Sequence, residues 1–245
     1  MVVTFFGTKG GTGTTTLAVN CAADLRRLTG RPTIVVDLKA GPGDVAVFLG
    51  LRPRLTMLDL MDQLPWLDRQ LVQRFVAEHD CGLQVLAAAD EFGRPAPRDA
   101  EAVEQALRLL SGTYAYVVVD AGATLNACAA AALHAADHVL LVANPDVPCL
   151  RNLQRLIDAV RLAGVVSERV KVVLNRASEH GVLAVGQIER VLGRAIDFSV
   201  PSDYRTVAAA INTGVPVSCL RGGDLQLQLA AMARAIAGSE LAAVS

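Results

Sequence analysis

The sequence has little lysine: three, at positions 9, 39 and 171, against twenty arginines. In a chain so biased toward arginine, a lysine marks a place where a compact point charge fits better than a planar guanidinium. Net charge is missing too, with 23 basic and 24 acidic side chains giving a formal −1, so no long-range field gathers nucleic acid or anionic lipid. The five cysteines, Cys21, Cys81, Cys128, Cys149 and Cys219, leave one over in any pairing scheme and form no C-x-x-C. That usage suits a reducing cytoplasm rather than a disulfide framework or a zinc site. Met1 to Phe6 lack the basic region, apolar core and cleavage site of a signal peptide and read as a strand. The longest apolar tract, Leu125 to Val142, is broken by Asn126, His134, Asp137 and His138, which argues against a membrane span. The expectation is a soluble cytoplasmic protein without a transmembrane segment.

What is present is an alternation of short β-branched runs with longer helical patterns. Strands are expected at Val2–Phe6, Thr33–Leu38, Gly82–Ala87, Tyr116–Asp120, Val139–Ala143 and Val170–Asn175. Helices are expected at Thr15–Leu28, Arg98–Leu110, Pro148–Leu162 and Ser202–Asn212, with Phe92–Pro97 as a loop. Near-continuous runs such as Tyr116-Val117-Val118-Val119 suit strands buried on both faces. The fold class is therefore α/β: a doubly wound, mostly parallel sheet with helices on both faces. With 245 residues and 52% hydrophobic content, a single domain over 1–245 accounts for the chain.

After the first strand comes Gly7-Thr8-Lys9-Gly10-Gly11-Thr12-Gly13-Thr14-Thr15-Thr16, which leads into the apolar helix Leu17-Ala18-Val19. Glycines there let successive backbone N–H groups turn inward, and the helix N-terminus adds partial positive charge, so phosphate oxygens can be held without side chains. The alternative is a plain Gly-rich connection, which the strand-before, helix-after context disfavours.

Lys9-Gly10-Gly11-Thr12-Gly13 followed by hydroxyl residues resembles the deviant Walker A loop of the MinD/ParA superfamily of dimeric ATPases, which have the P-loop NTPase fold. The resemblance implies ATP and Mg²⁺ as cofactors and a homodimer on ATP binding. It makes Lys9 the signature lysine that reaches a partner's nucleotide, the one residue given a catalytic role. It gives Thr15 the Mg²⁺-ligating hydroxyl and Asp120 the Walker B carboxylate, with Asp37 completing the metal set. Gly10 to Thr16 would hold phosphate; Asn175 would read adenine, with Arg176 beside it, while the loop of Pro201 and Asp203 closes over the base. An Asn ending a strand pairs a donor with an acceptor, which suits a base edge, although such residues also serve as turns or caps.

Two positions depart from that family's pattern. Thr14 replaces the loop's second lysine, and Lys39 replaces the second acid of the Asp-x-Asp segment at Asp37-Leu38-Lys39. A lost charge-assisted phosphate contact costs about 1.5–3 kcal/mol, whereas a preorganised charge removed from the transition state costs roughly 10²–10³ in rate. Hydrolysis suffers more than binding, so the protein is at most a weak ATPase. Lys39 is either a further nucleotide ligand or an exposed loop residue.

Beyond the loop, Gly43-Asp44-Val45-Ala46, Pro145-Asp146, Leu150-Arg151-Asn152, Val172 to Arg176 and Pro201-Ser202-Asp203-Tyr204-Arg205 resemble the CpaE/TadZ branch of type IV (Flp/Tad) pilus assembly. That branch commonly has a small residue where Thr14 stands, and many members carry a receiver-like domain ahead of the ATPase domain. The chain begins at its first strand, so it is expected to be a short member or an isolated ATPase domain.

The implied function is an ATP-binding, dimerising assembly and localisation factor whose partners are pilus or secretion proteins. Any recruitment to a membrane or cell pole falls to those partners. The alternatives are a ParA-type partition ATPase holding DNA non-specifically, and a competent ATPase using Lys39 in place of the missing lysine. Strong nucleic-acid binding is not expected. Three further features are weighed and mostly set aside: His134 and His138 straddle a helix-to-strand change with no third ligand; Leu225, Leu229, Met232 and Ile236 keep the spacing of a helix packed on the sheet, the alternative being an amphipathic membrane helix; and Arg151 and Arg155 sit one turn apart on a solvated face, the alternative being a partner-docking surface.

Overall fold

Every position of β1 (Val2–Gly7) is buried, and its alternate residues divide between two cores. Val2 and Phe6 join one, Val3 and Phe5 the other, as the period-two geometry of a strand covered on both faces requires. The computed structural model describes residues 1–39, 41–66, 71–89, 99–178, 183–220 and 222–238. Along the chain, β1 leads into α1 (Thr14–Thr29), β2 (Thr33–Asp37), short helices α2 (Val45–Phe48) and α3 (Met57–Met61), and the hairpin of β3 (Ala77–Glu78) and β4 (Gln84–Leu86). Then follow α4 (Ala100–Ser111), β5 (Tyr116–Asp120), α5 (Ala127–Ala135), β6 (His138–Ala143), α6 (Val147–Leu162) and β7 (Val170–Ala177). The chain continues through α7 (Val185–Leu192), β8 (Phe198–Pro201), α8 (Tyr204–Thr213) and α9 (Asp224–Ala237).

The sheet order is β3-β4-β2-β5-β1-β6-β7-β8, parallel throughout except for the β3–β4 pair. The expected α/β architecture is the observed one. On one face α1 and α9 bury Leu17, Leu25, Leu229 and Met232; on the other, α4, α5, α6 and α7 bury Leu107, Leu133, Leu153 and Ile188. Because β1 lies between β5 and β6, successive crossovers leave its C-terminal end in opposite directions. That end is the crevice where parallel α/β sheets bind ligands.

Asp99 caps α4 by accepting from the Ala102 N–H at 3.1 Å, which starts that helix at Ala100 rather than Arg98. The Phe92–Pro97 loop lies outside the described residues. Six elements escaped the sequence pattern: α2, α3, β3, α5, α7 and β8. The last ends at Pro201, and α5 is a nearly uniform alanine run with no apolar stripe to stand out.

Candidate nucleotide site

The loop between β1 and α1 is anchored at its base. The Gly7 N–H donates to the Gly122 carbonyl at 2.8 Å and the Thr8 N–H to the Val142 carbonyl at 2.9 Å, pinning the loop to the turn after β5 and to β6. Two glycines are dictated by space. A Cβ at Gly7 would meet Thr14 Oγ1 at 2.4 Å and Thr12 Oγ1 at 2.6 Å; one at Gly13, whose φ is +91°, would meet Asn175 Nδ2 at 2.3 Å. Gly13 is the left-handed residue from which α1 starts, so the N–H groups of that first turn face the loop without intrahelical partners.

A cleft of about 510 Å³ opens over this loop, lined by Lys9, Gly10, Gly11, Gly13, Thr14, Thr15, Thr16, Lys39 and Arg176. Asp44 and Phe48 close one side and α8 another, through Tyr204, Val207, Ala208, Ile211 and Asn212. Thr12 is buried, its hydroxyl donating to the Lys9 carbonyl at 3.0 Å and standing 3.2 Å from that of Thr14. The position lacking its lysine is thus closed into a small hydroxyl pair.

The acidic side of the site is built by register: Asp37 and Asp120 are paired positions at the ends of β2 and β5, and both are buried. Thr15 Oγ1 donates to Asp120 Oδ2 at 2.5 Å, and the Gly122 N–H donates to Oδ1 at 3.1 Å. Asp37 accepts from three backbone N–H groups, Lys39 at 3.0 Å, Asp44 at 2.9 Å and Val45 at 3.1 Å. Burial, followed by the neighbouring charge of Asp120, pushes the Asp37 carboxyl up to about 7 against those three bonds. Burial likewise raises Asp120, with Thr15 opposing it.

Among the described residues no group of three His, Cys, Asp or Glu side chains could cage a metal alone. Thr15 and Asp120 fit Mg²⁺ in the way that ion prefers, with one hydroxyl and one carboxylate beside a phosphate loop and the other positions filled by water and phosphate. Asp37, its oxygens already committed, holds the loop that follows β2.

Both cleft lysines have acidic partners. Lys9 Nζ stands 3.2 Å from Asp146 Oδ2, and Lys39 Nζ pairs with Asp44. Asp146 also caps α6, accepting from the Cys149 N–H at 2.9 Å. Other expected ligands sit elsewhere. Asn175 Nδ2 donates to the Thr12 carbonyl at 2.7 Å and is buried beneath the loop. Pro201 lines a separate cavity, and Asp203 caps α8 on the far side of that helix. Tyr204, 82% exposed at the cleft mouth, was missed, although it follows directly on the Pro201–Asp203 segment. Asp44 and Asp146 stood in segments that resemble the branch but were not read as lysine partners; Asp146 pairs with Lys9 across 137 positions, which no local spacing signals.

Residues 1–171 match the family profile described as AAA domain, AAA_31. The chain belongs to this family. Its similarities run to MinD and ParA proteins. It is 27% identical over 239 residues to the septum site-determining protein MinD of Thermotoga maritima, covering 94% of this chain and 85% of that protein. In structure it resembles a ParA family ATPase from Chlorobium tepidum TLS, with a TM-score of 0.89, 24% identity, and 95% and 98% of the two chains covered. It also resembles Pyrococcus horikoshii OT3 MinD, solved with Mg-ADP, at a TM-score of 0.80 and 20% identity over 98% of each chain. No described helix of this AAA_31 chain is long and apolar enough to cross a membrane.

Proposed function

We propose that this chain is an ATP-binding, dimerising switch of the CpaE/TadZ kind, serving assembly or localisation of a type IV (Flp/Tad) pilus or secretion machine, with slow or absent hydrolysis. The observation that carries the reading is the cleft itself. Its phosphate end is complete in backbone, Thr15 and Asp120, while the position of the second lysine holds Thr14. The solved MinD relative that holds Mg-ADP supports the choice of ligand. In this deviant Walker A reading the loop amides hold the phosphates, Thr15 and Asp120 orient the metal, and Arg176 and Tyr204 flank the nucleoside. When bound, Mg²⁺ supplies charge neutralisation between phosphate oxygens. Lys9, 41% exposed at its side chain, is free to leave Asp146 for a partner's nucleotide. The described residues form one sheet with two flanking cores, which supports a single domain over 1–245.

A larger groove of about 1020 Å³ lies between α6 and α7, away from the cleft, with Val147 and Val191 exposed and Arg151, Arg155 and Arg190 at its rim. None of these arginines has an ion-pair partner among the described residues. That pattern suits an acidic amphipathic segment of an assembly partner.

Calorimetry with Mg-ATP, followed by size analysis, tests the reading. Binding below millimolar concentration with a shift to dimer is expected; no binding at millimolar ATP overturns it. The presence of Lys39 in the cleft favours a second reading, a competent ATPase. Steady-state turnover above about 1 s⁻¹, the floor of ordinary enzymes, would establish it.

A further inference from the structure

At one end of the cleft, β7 slips register against β8: Asn175 pairs with Val200 and Ala177 with Pro201, so Arg176 is the extra residue between them. Its φ of +55° is the one left-handed backbone among the described residues that is not glycine. For a residue with a Cβ that conformation is costly, and such residues gather at ligand sites. A bulge re-aims a side chain. Here the exposed guanidinium lines the cleft, with no hydrogen bond or ion pair among the described residues. Tyr204, three residues beyond Pro201 and also exposed, lines the same cleft from the first turn of α8. The ends of two neighbouring strands thus bring a guanidinium plane and a phenol ring to one end of the cleft. Groups able to read a base edge are committed or distant. Asn175 donates to the Thr12 carbonyl at 2.7 Å and fills the space that the missing Cβ of Gly13 leaves. Asn212, the amide in the described lining, stands two turns from Tyr204 along α8, about 12 Å, and Asp44 is paired with Lys39.

We infer, on the nucleotide reading given above, that this end of the cleft holds a purine by its faces and not by its edge, so that ATP and GTP are taken alike, with Arg176 and Tyr204 setting the selectivity. Adenine and guanine differ along the edge, where one presents an amino group and the other a carbonyl. Both offer the same two-ring π-face. A guanidinium is drawn to that face by cation–π attraction and an aromatic ring by stacking, and neither contact depends on which base is present. Telling the two purines apart requires a buried donor or acceptor that the wrong base leaves unpaired. Among the described residues this end of the cleft supplies none. Pyrimidines, with a single ring, cover less of either plane and are held more weakly. The loop amides grip the phosphates of all these nucleotides equally.

Titration calorimetry of the full chain with the magnesium complexes of ATP, GTP, CTP and tripolyphosphate tests this. ATP and GTP are expected to bind within about three-fold of each other, with CTP several-fold weaker. Tyr204→Ala and Arg176→Gly should each weaken ATP and GTP together by about ten-fold and leave tripolyphosphate unchanged. Tyr204→Phe, which keeps the ring, should bind both purines as before. Glycine suits the φ of +55° at position 176, so an unchanged melting temperature shows that the Arg176→Gly chain is folded. GTP held more than about thirty-fold more weakly than ATP would reveal an edge contact and overturn the inference. So would purine affinities unmoved by the two truncations, or tripolyphosphate weakened as much as ATP. Each of these outcomes leaves the ATP switch in place, whereas no ATP binding at millimolar concentration removes the function proposed above and the purine selectivity with it.

Discussion

At the scale of single residues, the two cleft lysines are held by carboxylates, Asp146 and Asp44. Asp146→Asn keeps the cap on α6, because Asn serves there as well as Asp, while removing the charge that holds Lys9. We expect ATP-dependent dimerisation at several-fold lower protein concentration than in the unsubstituted chain. An unchanged dimerisation midpoint in sedimentation would mean that the pair is incidental. Lys9→Ala should abolish dimerisation and leave monomer binding nearly intact, since amides hold the phosphates. Lys39 offers a sharper comparison. If its ammonium supplies the charge absent at Thr14, Lys39→Ala weakens ATP binding about ten-fold, and Asp44→Asn, which releases it, tightens binding. Opposite signs in the two titrations are the signature; two flat results assign Lys39 to solvent. Thr14→Lys should tighten binding with turnover still slow, and a large rise in turnover would blame position 14 alone.

At the scale of elements, Asn175 ties β7 to the start of α1. Removing its amide leaves the buried Thr12 carbonyl unpaired, a loss of about 1–3 kcal/mol. Asn175→Ala should therefore lower the melting temperature and weaken ATP and GTP equally, whereas a base-reading Asn would lose ATP alone. Much of this arrangement was legible in advance. Continuous β-branched runs signalled β1, β2, β5, β6 and β7; glycine, threonine and lysine in one stretch signalled the loop between β1 and α1; and Leu225, Leu229, Met232 and Ile236 signalled the buried stripe of α9. What escaped is where side chains turn, whether to a distant loop, as Asn175 does to Thr12, or to a near neighbour, as Lys39 does to Asp44. No local pattern says that Asn175 turns beneath the loop or that Lys39 finds Asp44. Uniform alanine in α5 and four residues in β8 are too little periodicity to read.

At the scale of the molecule, the two carboxyls at the ends of β2 and β5 link ligand binding to pH. Asp37 is raised above its ordinary value, so the stability it contributes is fully present below about pH 4 and is lost as pH rises through about 7. A cation held by Thr15 and Asp120 would favour the charged form of both carboxyls and so displace the proton. Mg-ATP binding near pH 7 should release protons, read as a dependence of calorimetric heat on buffer ionisation enthalpy, and the release should vanish by about pH 8.5. Heats independent of buffer at pH 7 would rule the linkage out. The same near-neutral surface should leave duplex DNA unbound at physiological salt, and retention that falls steeply with added salt would favour the partition reading instead.

The rims of the sheet carry one more consequence. One rim is β3, two residues long; the other is β8, four residues closed by Pro201, which has no N–H to offer a neighbour. Strands so short and so ended make poor templates for adding another chain edge to edge. Copies of this protein are thereby steered away from ribbon-like fibres, and growth past a closed pair would have to proceed through helix and loop faces. Crowded, nucleotide-loaded solutions should accordingly stay clear and free of thioflavin-positive filaments.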